Sequence, residues 1–312
     1  MIRSPNPTAR ARAATACAAT AALFLLAAPA RAALNVFACE PEWGALATAL
    51  GGSDVSVFVA TTGLQDPHQI QARPALISRL RFADIAVCTG AELEIGWMPV
   101  LLRQAANAKV QPGAPGYFAG ADQVTLLEKP TVLDRAEGDV HPAGNPHVQT
   151  DPRNMRIIAV ALARRLEQID PAHAAAYAAR EKAFDAQLAA GIQRWQQEGA
   201  PLRSKNVVSY HKGWIYLMNF LDMHEVATIE PKPGVPPGSA YIADLLGRLP
   251  ALKASMVIYA AYEDPKPSQF VAEKSHLPAV MLPFTVGGTD AAKDLTGLYD
   301  DTVKRLLAGL SG

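Results

Sequence analysis

Residues 139–152 read DVHPAGNPHVQTDP, and the interpretation of the whole chain starts from this stretch. Its three prolines and one glycine predict a loop, and Asp151-Pro152 at its end predicts the first turn of a helix. The loop carries His141 and His147. A neutral imidazole is the commonest side-chain ligand of metals, and a histidine in such a loop is free to face a cleft. Taken alone, the pair is better explained as two solvated loop residues, so other histidines must decide the matter.

The composition indicates an exported globular protein. The chain has 312 residues, half of them apolar, which is enough for one large or two ordinary domains. Its 29 basic and 29 acidic residues balance, and no basic run is present, which argues against a nucleic-acid-binding surface. Residues 1–32 contain arginines, then an apolar run, then a small-x-small motif, which is the pattern of a cleavable signal peptide. We therefore predict a mature chain that begins near Ala33.

Two cysteines, Cys39 and Cys88, remain after that cleavage. Each ends a short apolar run, and if the two runs are adjacent parallel strands, their C-terminal ends come within bridging distance. In an oxidising compartment an even pair is naturally interpreted as one disulfide. Two free buried thiols are the alternative.

Short strand patterns alternate with helical patterns in two regions of the chain, which predicts an α/β fold with parallel sheets. The longest helical pattern, over 152–195, separates these regions. We expect an N-terminal α/β domain over 33–168, a linking helix over 169–198 and a C-terminal α/β domain over 199–312. The predicted strands are 34–39, 55–59, 84–88, 206–210, 226–229, 256–259 and 279–282. Residues 109–133 are predicted to be irregular, and 92–102 to be helical.

Two further histidines follow predicted strands. His68 lies about nine residues after the strand at 55–59, and Asp66 beside it can accept a hydrogen bond from the imidazole. His211 directly follows the strand at 206–210. Ligand sites in parallel sheets lie outside the carboxyl ends of the strands. His68, His147 and His211 therefore predict a metal site in a cleft between two α/β domains.

Short motifs in a fixed order add a family resemblance. The motifs are Asp66-Pro67-His68, Asn145-Pro146-His147 followed by Asp151-Pro152, Tyr210-His211 and Gly287-Gly288. Together they resemble the metal-binding, zinc/manganese cluster of ABC-transporter solute-binding proteins, over essentially the whole mature chain.

The resemblance implies a fold, a ligand set and a function. Two parallel-sheet α/β domains are joined by one long rigid helix, and His68, His147 and His211 bind the metal in the interdomain cleft. The protein is then a periplasmic monomer that captures zinc and delivers it to an ABC permease in the inner membrane. Histidine at the third ligand position favours zinc over manganese.

The fourth ligand departs from the family pattern, because the loop after the last predicted strand has no acid before Asp290. Glu263, Asp290 and water stay open. We favour Glu263, because it follows the strand at 256–259 and so shares a sheet edge with His211. Asp290 has an adequate structural role as the cap of a helix from Ala291. His141 is interpreted as a loop residue able to capture metal transiently.

Two other classes of protein compete with this interpretation. Three histidines with an open position also suit a zinc-dependent hydrolase, which needs a general base beside the metal. No His-Glu-x-x-His helix is present in the sequence. A sugar- or peptide-binding protein usually stacks aromatic rings on its ligand, and aromatic residues are only 7% of this chain. A non-enzymatic metal-binding protein is therefore favoured.

Overall fold

The computed structural model describes Met1, residues 33–131 and residues 138–311. The predicted signal peptide, apart from Met1, lies outside these residues. Leu34–Gly312 form one compact unit, so the domain boundaries at 168 and 198 stay predictions. In the part of the chain that is described, no helix has the length and apolar character needed to cross a bilayer.

The first half of the chain builds a four-stranded parallel sheet in the order β2-β1-β3-β4. Every residue of β3 is buried, as expected for a central strand of a sheet covered on both faces. The strands are Leu34–Ala38 (β1), Val55–Val59 (β2), Ile85–Cys88 (β3) and Tyr117–Ala119 (β4). The helices between them are Pro41–Gly51 (α1), Pro74–Arg81 (α2) and Met98–Ala105 (α3).

The second half repeats the topology, with a parallel sheet in the order β6-β5-β7-β8. Its strands are Asn206–Ser209 (β5), His224–Thr228 (β6), Ala254–Ala260 (β7) and Ala279–Leu282 (β8). Its helices are Ile215–Leu221 (α6), Ser239–Leu252 (α7), Pro265–Ser275 (α8) and Leu295–Ser311 (α9). We call residues 34–151 the first lobe and residues 206–311 the second lobe. The predicted α/β class with two parallel sheets is confirmed.

Two helices connect the lobes. Pro152–Ile169 (α4) begins where the sequence predicts, with Asp151 Oδ1 accepting a hydrogen bond from Arg153 N at 2.8 Å. A short turn leads into Ala174–Glu198 (α5), the longest helix described. Helix α5 packs against α4 and also contacts α1 and α9, so it touches both lobes.

One of the three hydrophobic clusters in the described residues spans both lobes. A single cluster of buried side chains includes Val36 and Ile85 from the first sheet and Val207 and Ile258 from the second. Leu162 of α4 belongs to the same cluster. Apolar side chains buried in one continuous cluster stabilise the relative position of the two sheets.

Cys39 and Cys88 are bonded as a disulfide, as predicted, with Cα atoms 4.8 Å apart. The reason is the strand order. Cys39 directly follows β1, Cys88 ends β3, and β1 and β3 are hydrogen-bonded neighbours. Both cysteines are fully buried.

Two secondary-structure predictions in the first lobe are wrong. Residues 109–133 contain the short edge strand β4, which the neighbouring glycines and prolines conceal in the sequence. The helix expected over 92–102 begins only at Met98, because Ala91 and Glu92 adopt left-handed backbone conformations with φ of 48° and 66°. Residues of this conformation cannot continue a right-handed helix.

The lobes approach closely at two glycines. A Cβ atom added to Gly63, on the loop after β2, would lie 2.4 Å from the backbone N of Gly288, on the loop after β8. A Cβ atom cannot lie so close to a backbone nitrogen, so any side chain at position 63 would force one of the two backbones to move. The absence of a side chain at Gly63 therefore permits this contact between the lobes.

We expect Gly63→Ala to lower the free energy of unfolding by about 1–3 kcal/mol, because the new methyl group overpacks this contact. Gly247→Ala is the matched control. Gly247 is at an exposed position of helix α7, and a Cβ there meets nothing within 4 Å, so alanine should add about 0.5–1 kcal/mol to the free energy of unfolding. Urea unfolding of both variants measures the difference. Equal stabilities of Gly63→Ala and the wild type would contradict the close contact.

A partly buried carboxyl on β6, that of Glu225, predicts a pH dependence of stability. Ser209 Oγ donates a hydrogen bond to Glu225 Oε2 at 2.6 Å, and burial raises the pKa of Glu225 from 4.5 to about 7. Between these values the folded state holds a proton that the unfolded chain lacks. The contribution of Glu225 to stability is therefore largest below pH 4.5 and is lost as the pH rises towards 7.

Glu225→Gln cannot titrate. The wild type loses the contribution of Glu225 as the pH rises, and the variant does not. We therefore expect the difference in free energy of unfolding, variant minus wild type, to rise by about 2–3 kcal/mol between pH 4.5 and pH 8. Glu273→Gln, at a carboxyl that is 72% exposed, should show no such change and is the control. Denaturant unfolding at both pH values tests this, and an identical pH response of the two variants would count against it.

Candidate metal centre

Two contacts fix His68, which lies on the loop after β2. Trp97 Nε1 donates a hydrogen bond to Pro67 O at 2.9 Å and ties this loop to a buried side chain. Asp66 Oδ1 accepts from the backbone N of His68 at 2.9 Å and lies 2.8 Å from its Nδ1, as predicted for Asp66. Because a carboxylate only accepts, Nδ1 carries the proton and Nε2 keeps its lone pair. His68 Nε2 is buried and has no hydrogen-bond partner.

His147 is 1% exposed and lies just before the short turn that precedes α4. Its backbone N donates to Asn145 Oδ1 at 3.1 Å. The Asn145 side chain in turn donates to Lys212 O at 2.8 Å, so a contact from the second lobe fixes the loop. The ring of His147 meets Phe284 edge-on, with centroids 5.1 Å apart. Both lobes therefore hold this histidine.

His211 lies directly beyond β5, where its strand and the loop after β6 come together. Its Nδ1 is 2.7 Å from Glu230 Oε2, which also accepts from Gly234 N at 3.0 Å. The carboxylate again assigns the proton to Nδ1 and leaves Nε2 free as a donor to metal. Sequence reasoning missed this role of Glu230, because nothing in the sequence joins positions 19 residues apart.

The structure brings the three predicted histidines together. His68, His147 and His211 each offer a ligand atom, and these atoms lie within 4.8 Å of one another. The ring centroids of His68 and His147 are 5.3 Å apart, and each lies 5.5 Å from that of His211. A cavity of about 640 Å³, lined by residues of both lobes, opens beside His147 and His211. The three rings therefore meet in the cleft that the sequence predicts.

The surroundings favour neutral imidazole, which is the form that binds metal. Burial lowers the pKa of His147 well below its usual value, and the other histidines nearby lower it further. A proton on His147 would add a buried positive charge beside the neighbouring rings. This environment suits a divalent cation better than protonated histidine.

His141 lies close to the cluster. Its ring centroid is 5.5 Å from that of His68 and 6.4 Å from that of His147. Its Nδ1 is 3.2 Å from Ala91 O, and its Nε2 is buried without a partner. Burial, followed by the neighbouring His68, lowers the pKa of His141 to about 4.

Glu263 is not part of the three-histidine cluster. Its Oε2 accepts from Ala260 N at 2.6 Å, and its Oε1 is buried without a partner. Burial raises the pKa of Glu263 well above its usual value, although the bond from Ala260 opposes this rise. In the described chain no hydrogen bond or ion pair joins Glu263 to the histidines. Its role as a ligand stays a prediction.

Asp290 is exposed, and the helix-capping role expected for it is wrong. Helix α9 begins at Leu295, four residues later than that role requires. Asp294 caps this helix instead, because its Oδ1 accepts a hydrogen bond from the backbone N of Gly297, in the first turn, at 2.8 Å. Nothing in the described structure brings Asp290 into the three-histidine cluster.

A family model described as ZnuA, zinc-uptake complex component A, periplasmic, matches residues 36–309. The chain belongs to this family. Its membership confirms the family resemblance carried by the histidine motifs.

Individual proteins of this kind are similar over different lengths. The high-affinity zinc uptake system protein ZnuA of Brucella abortus is 30% identical over 120 residues, which cover 38% of this chain and 36% of that protein. The match thus spans only about a third of the relative's length. The metal ABC transporter substrate-binding lipoprotein ScbA of Streptococcus cristatus is 21% identical over 283 residues, which cover 89% of both proteins.

Solved structures of the ZnuA family share the fold. A crystal structure of a ZnuA deletion mutant with zinc bound superposes with a TM-score of 0.73 at 22% identity. The superposition covers 90% of this chain and 99% of that one. At this identity the likeness shows the two-sheet fold, and the ligands of this chain must be argued from its own side chains.

We expect Glu230→Ala to weaken zinc binding by about 10–100-fold, because His211 loses the acceptor that orients its ring. Glu230→Gln keeps an acceptor oxygen and should fall between that variant and the wild type. Asp244→Ala removes an exposed carboxylate on α7, 64% accessible, and should bind like the wild type. Competition titration with a zinc chelator measures all four proteins. If Glu230→Ala binds zinc with wild-type affinity, Glu230 does not orient His211 for metal binding.

Proposed function

We propose that this protein captures zinc at His68, His147 and His211 and delivers it to an ABC-type importer in the inner membrane. The observation that carries the proposal is the meeting of three imidazoles from two lobes, with ligand atoms within 4.8 Å of one another. The family description, a periplasmic component of a zinc-uptake complex, supports the same cargo. So does the name of the Brucella abortus relative, a high-affinity zinc uptake protein.

The choice of zinc rests on the donor atoms. Similar folds have been solved with nickel in FpvC of P. aeruginosa, and with manganese and cadmium in a protein of Candidatus Liberibacter asiaticus. The fold alone therefore does not select the metal. Imidazole nitrogen suits zinc, whereas manganese prefers carboxylate, carbonyl and water oxygen. In the described residues, the cluster contains three histidines and no carboxylate oxygen.

Charge balance supports a divalent cargo. Asp66 contacts His68 Nδ1, and Glu230 contacts His211 Nδ1, so two carboxylates lie one ring away from the metal position. Their negative charges offset the two positive charges of the ion across the imidazoles. Such outer carboxylates also raise the basicity of the ligand nitrogens.

The proposal extends to compartment, partner and organisation. The mature chain acts in the periplasm as a monomer that carries zinc to the permease. It consists of an N-terminal domain over 33–168, a linking helix over 169–198 and a C-terminal domain over 199–312. The support for this is the export signal in the sequence, the family description, and a long helix that contacts both lobes.

The proposal assigns no catalytic step to the zinc. A zinc hydrolase needs a free general base beside the metal. Asp66 and Glu230, the carboxylates that contact the ligand rings, are both occupied by imidazole Nδ1–H. Ester or peptide turnover that scales with zinc content and disappears in His147→Ala would replace transport by hydrolysis.

We expect the purified apoprotein to bind one zinc ion. Each of the variants His68→Ala, His147→Ala and His211→Ala should bind it at least about 100-fold more weakly, because a nitrogen ligand is lost. His224→Ala is the control, since this histidine is exposed at the start of β6. Isothermal titration and elemental analysis give affinity and stoichiometry. The ligand assignment fails if His211→Ala binds zinc as the wild type does.

Delivery needs a separate experiment. Zinc uptake into vesicles that contain the cognate permease should require the loaded protein, and the His147→Ala variant should not support it. Tight zinc binding without any stimulation of uptake would contradict the transport role while leaving the metal site intact.

A further inference from the structure

We propose that His141 supplies the fourth nitrogen to the bound ion, so that the zinc is held by four histidines. This inference rests on the proposed function, because it concerns the same ion. In this inference His141 coordinates the ion for as long as it is bound, rather than capturing it only transiently.

The spacing of the rings is the first argument. Four imidazoles around a tetrahedral zinc, at Zn–N distances near 2.0–2.1 Å, place neighbouring ring centroids about 5 Å apart. The three clustered rings lie 5.3–5.5 Å from one another. His141 is 5.5 Å from His68, which is the same spacing, and 6.4 Å from His147. To complete a tetrahedron, His141 must move closer to His147 and to His211, while its spacing from His68 already matches.

The orientation of His141 is the second argument. Its Nδ1 faces Ala91 O, and because a carbonyl oxygen only accepts, Nδ1 must carry the proton. The lone pair is then on Nε2, which is buried without a hydrogen-bond partner. His68 shows the same pattern, with Nδ1 on an acceptor and Nε2 buried and unpaired. A buried polar atom without a partner calls for an explanation, and a shared cation accounts for both.

The first lobe holds the acceptor of His141 in place. Ala91 and Glu92 both have positive φ, a conformation that costs about 1–2 kcal/mol for each non-glycine residue. The turn is anchored by Glu94, whose carboxyl accepts from Thr89 N at 2.6 Å and from Gly90 N at 3.1 Å. Strain of this kind persists where the surroundings impose it, often at functional sites. Here the strained turn places the carbonyl oxygen of Ala91 3.2 Å from Nδ1 of His141.

The second lobe holds the His141 loop from the other side. Asp139 N donates to Pro233 O at 2.9 Å, on the loop 230–238. Gly234 of the same loop donates to Glu230, which orients His211. The segment that carries His141 is therefore attached to the loop that positions an established member of the cluster. These contacts hold the His141 segment and His211 on one connected set of loops.

Glu263 is the competing fourth donor. Its Oε2 is bound by Ala260 N, three residues earlier in its own loop. Its Oε1 is also buried without a partner, but no hydrogen bond or ion pair of the described residues joins this carboxyl to the histidines, whereas the His141 ring lies against two of their rings. The geometry therefore favours the histidine over the carboxylate.

The test compares His141→Ala with Glu263→Gln in the full mature chain, using zinc for affinity and cobalt(II) as a spectroscopic probe. We expect His141→Ala to bind zinc at least about tenfold more weakly, because one ligand is lost. Its cobalt d–d absorption should shift, and zinc X-ray absorption should show one nitrogen fewer. Glu263→Gln should match the wild type in all three measurements.

Three outcomes separate this inference from the proposed function. Wild-type affinity and an unchanged cobalt spectrum in His141→Ala overturn the inference, and changes in Glu263→Gln alone assign the fourth position to the carboxylate. Failure of the wild type to bind zinc, or full binding by His68→Ala, overturns the proposed function instead. Thermal unfolding of each apoprotein, with His224→Ala as the control, shows whether lost binding comes from lost folding.

Discussion

The hydrogen bond from His211 Nδ1 to Glu230 Oε2, 2.7 Å long, is the contact on which the rest of the site depends. The same oxygen accepts from Gly234 N, so the orientation of a metal-binding ring and the shape of the loop 230–238 are fixed together. Gly234 has a φ of 74°, and a Cβ there would lie 2.1 Å from Asp139 Oδ2. The positive φ favours glycine at this position, next to the loop that carries His141. The loop that Glu230 holds in place thus contacts the first-lobe segment that carries His141, through the hydrogen bond from Asp139 N to Pro233 O.

The first lobe contains buried acids that do not contact the metal-binding rings. Burial raises the pKa of Glu40 and Glu94, and raises that of Glu42 to about 7. Glu94 caps the turn at Thr89, while Glu42 is hydrogen-bonded to Thr285 of the second lobe. Because protonation reduces the charge of these acids, their main effect is structural. The carboxylates that contact the clustered rings are instead Asp66, beside His68, and Glu230, beside His211.

Local patterns were enough to predict the main features of the chain. The alternation of strand and helix patterns predicted both parallel sheets. The positions of Cys39 and Cys88 at the ends of two predicted strands predicted their disulfide. The histidines that meet were predicted because each follows a strand or precedes a capped helix. The partner of His211 was not predictable, since Glu230 reaches it only through tertiary folding. The short strand β4 was missed for a related reason, because its three residues pair only once β3 is in place.

The hydrophobic cluster that spans both sheets has a kinetic consequence. Separating the lobes would expose apolar surface at about 25 cal/mol for each Å², so a wide hinge motion is a costly route to release. Opening of surface loops costs far less and occurs in microseconds to milliseconds. For the proposed function, this means that the dwell time of a bound ion would depend on how often the loops around the cleft open. A membrane partner that binds those loops would speed dissociation without having to force the two halves apart.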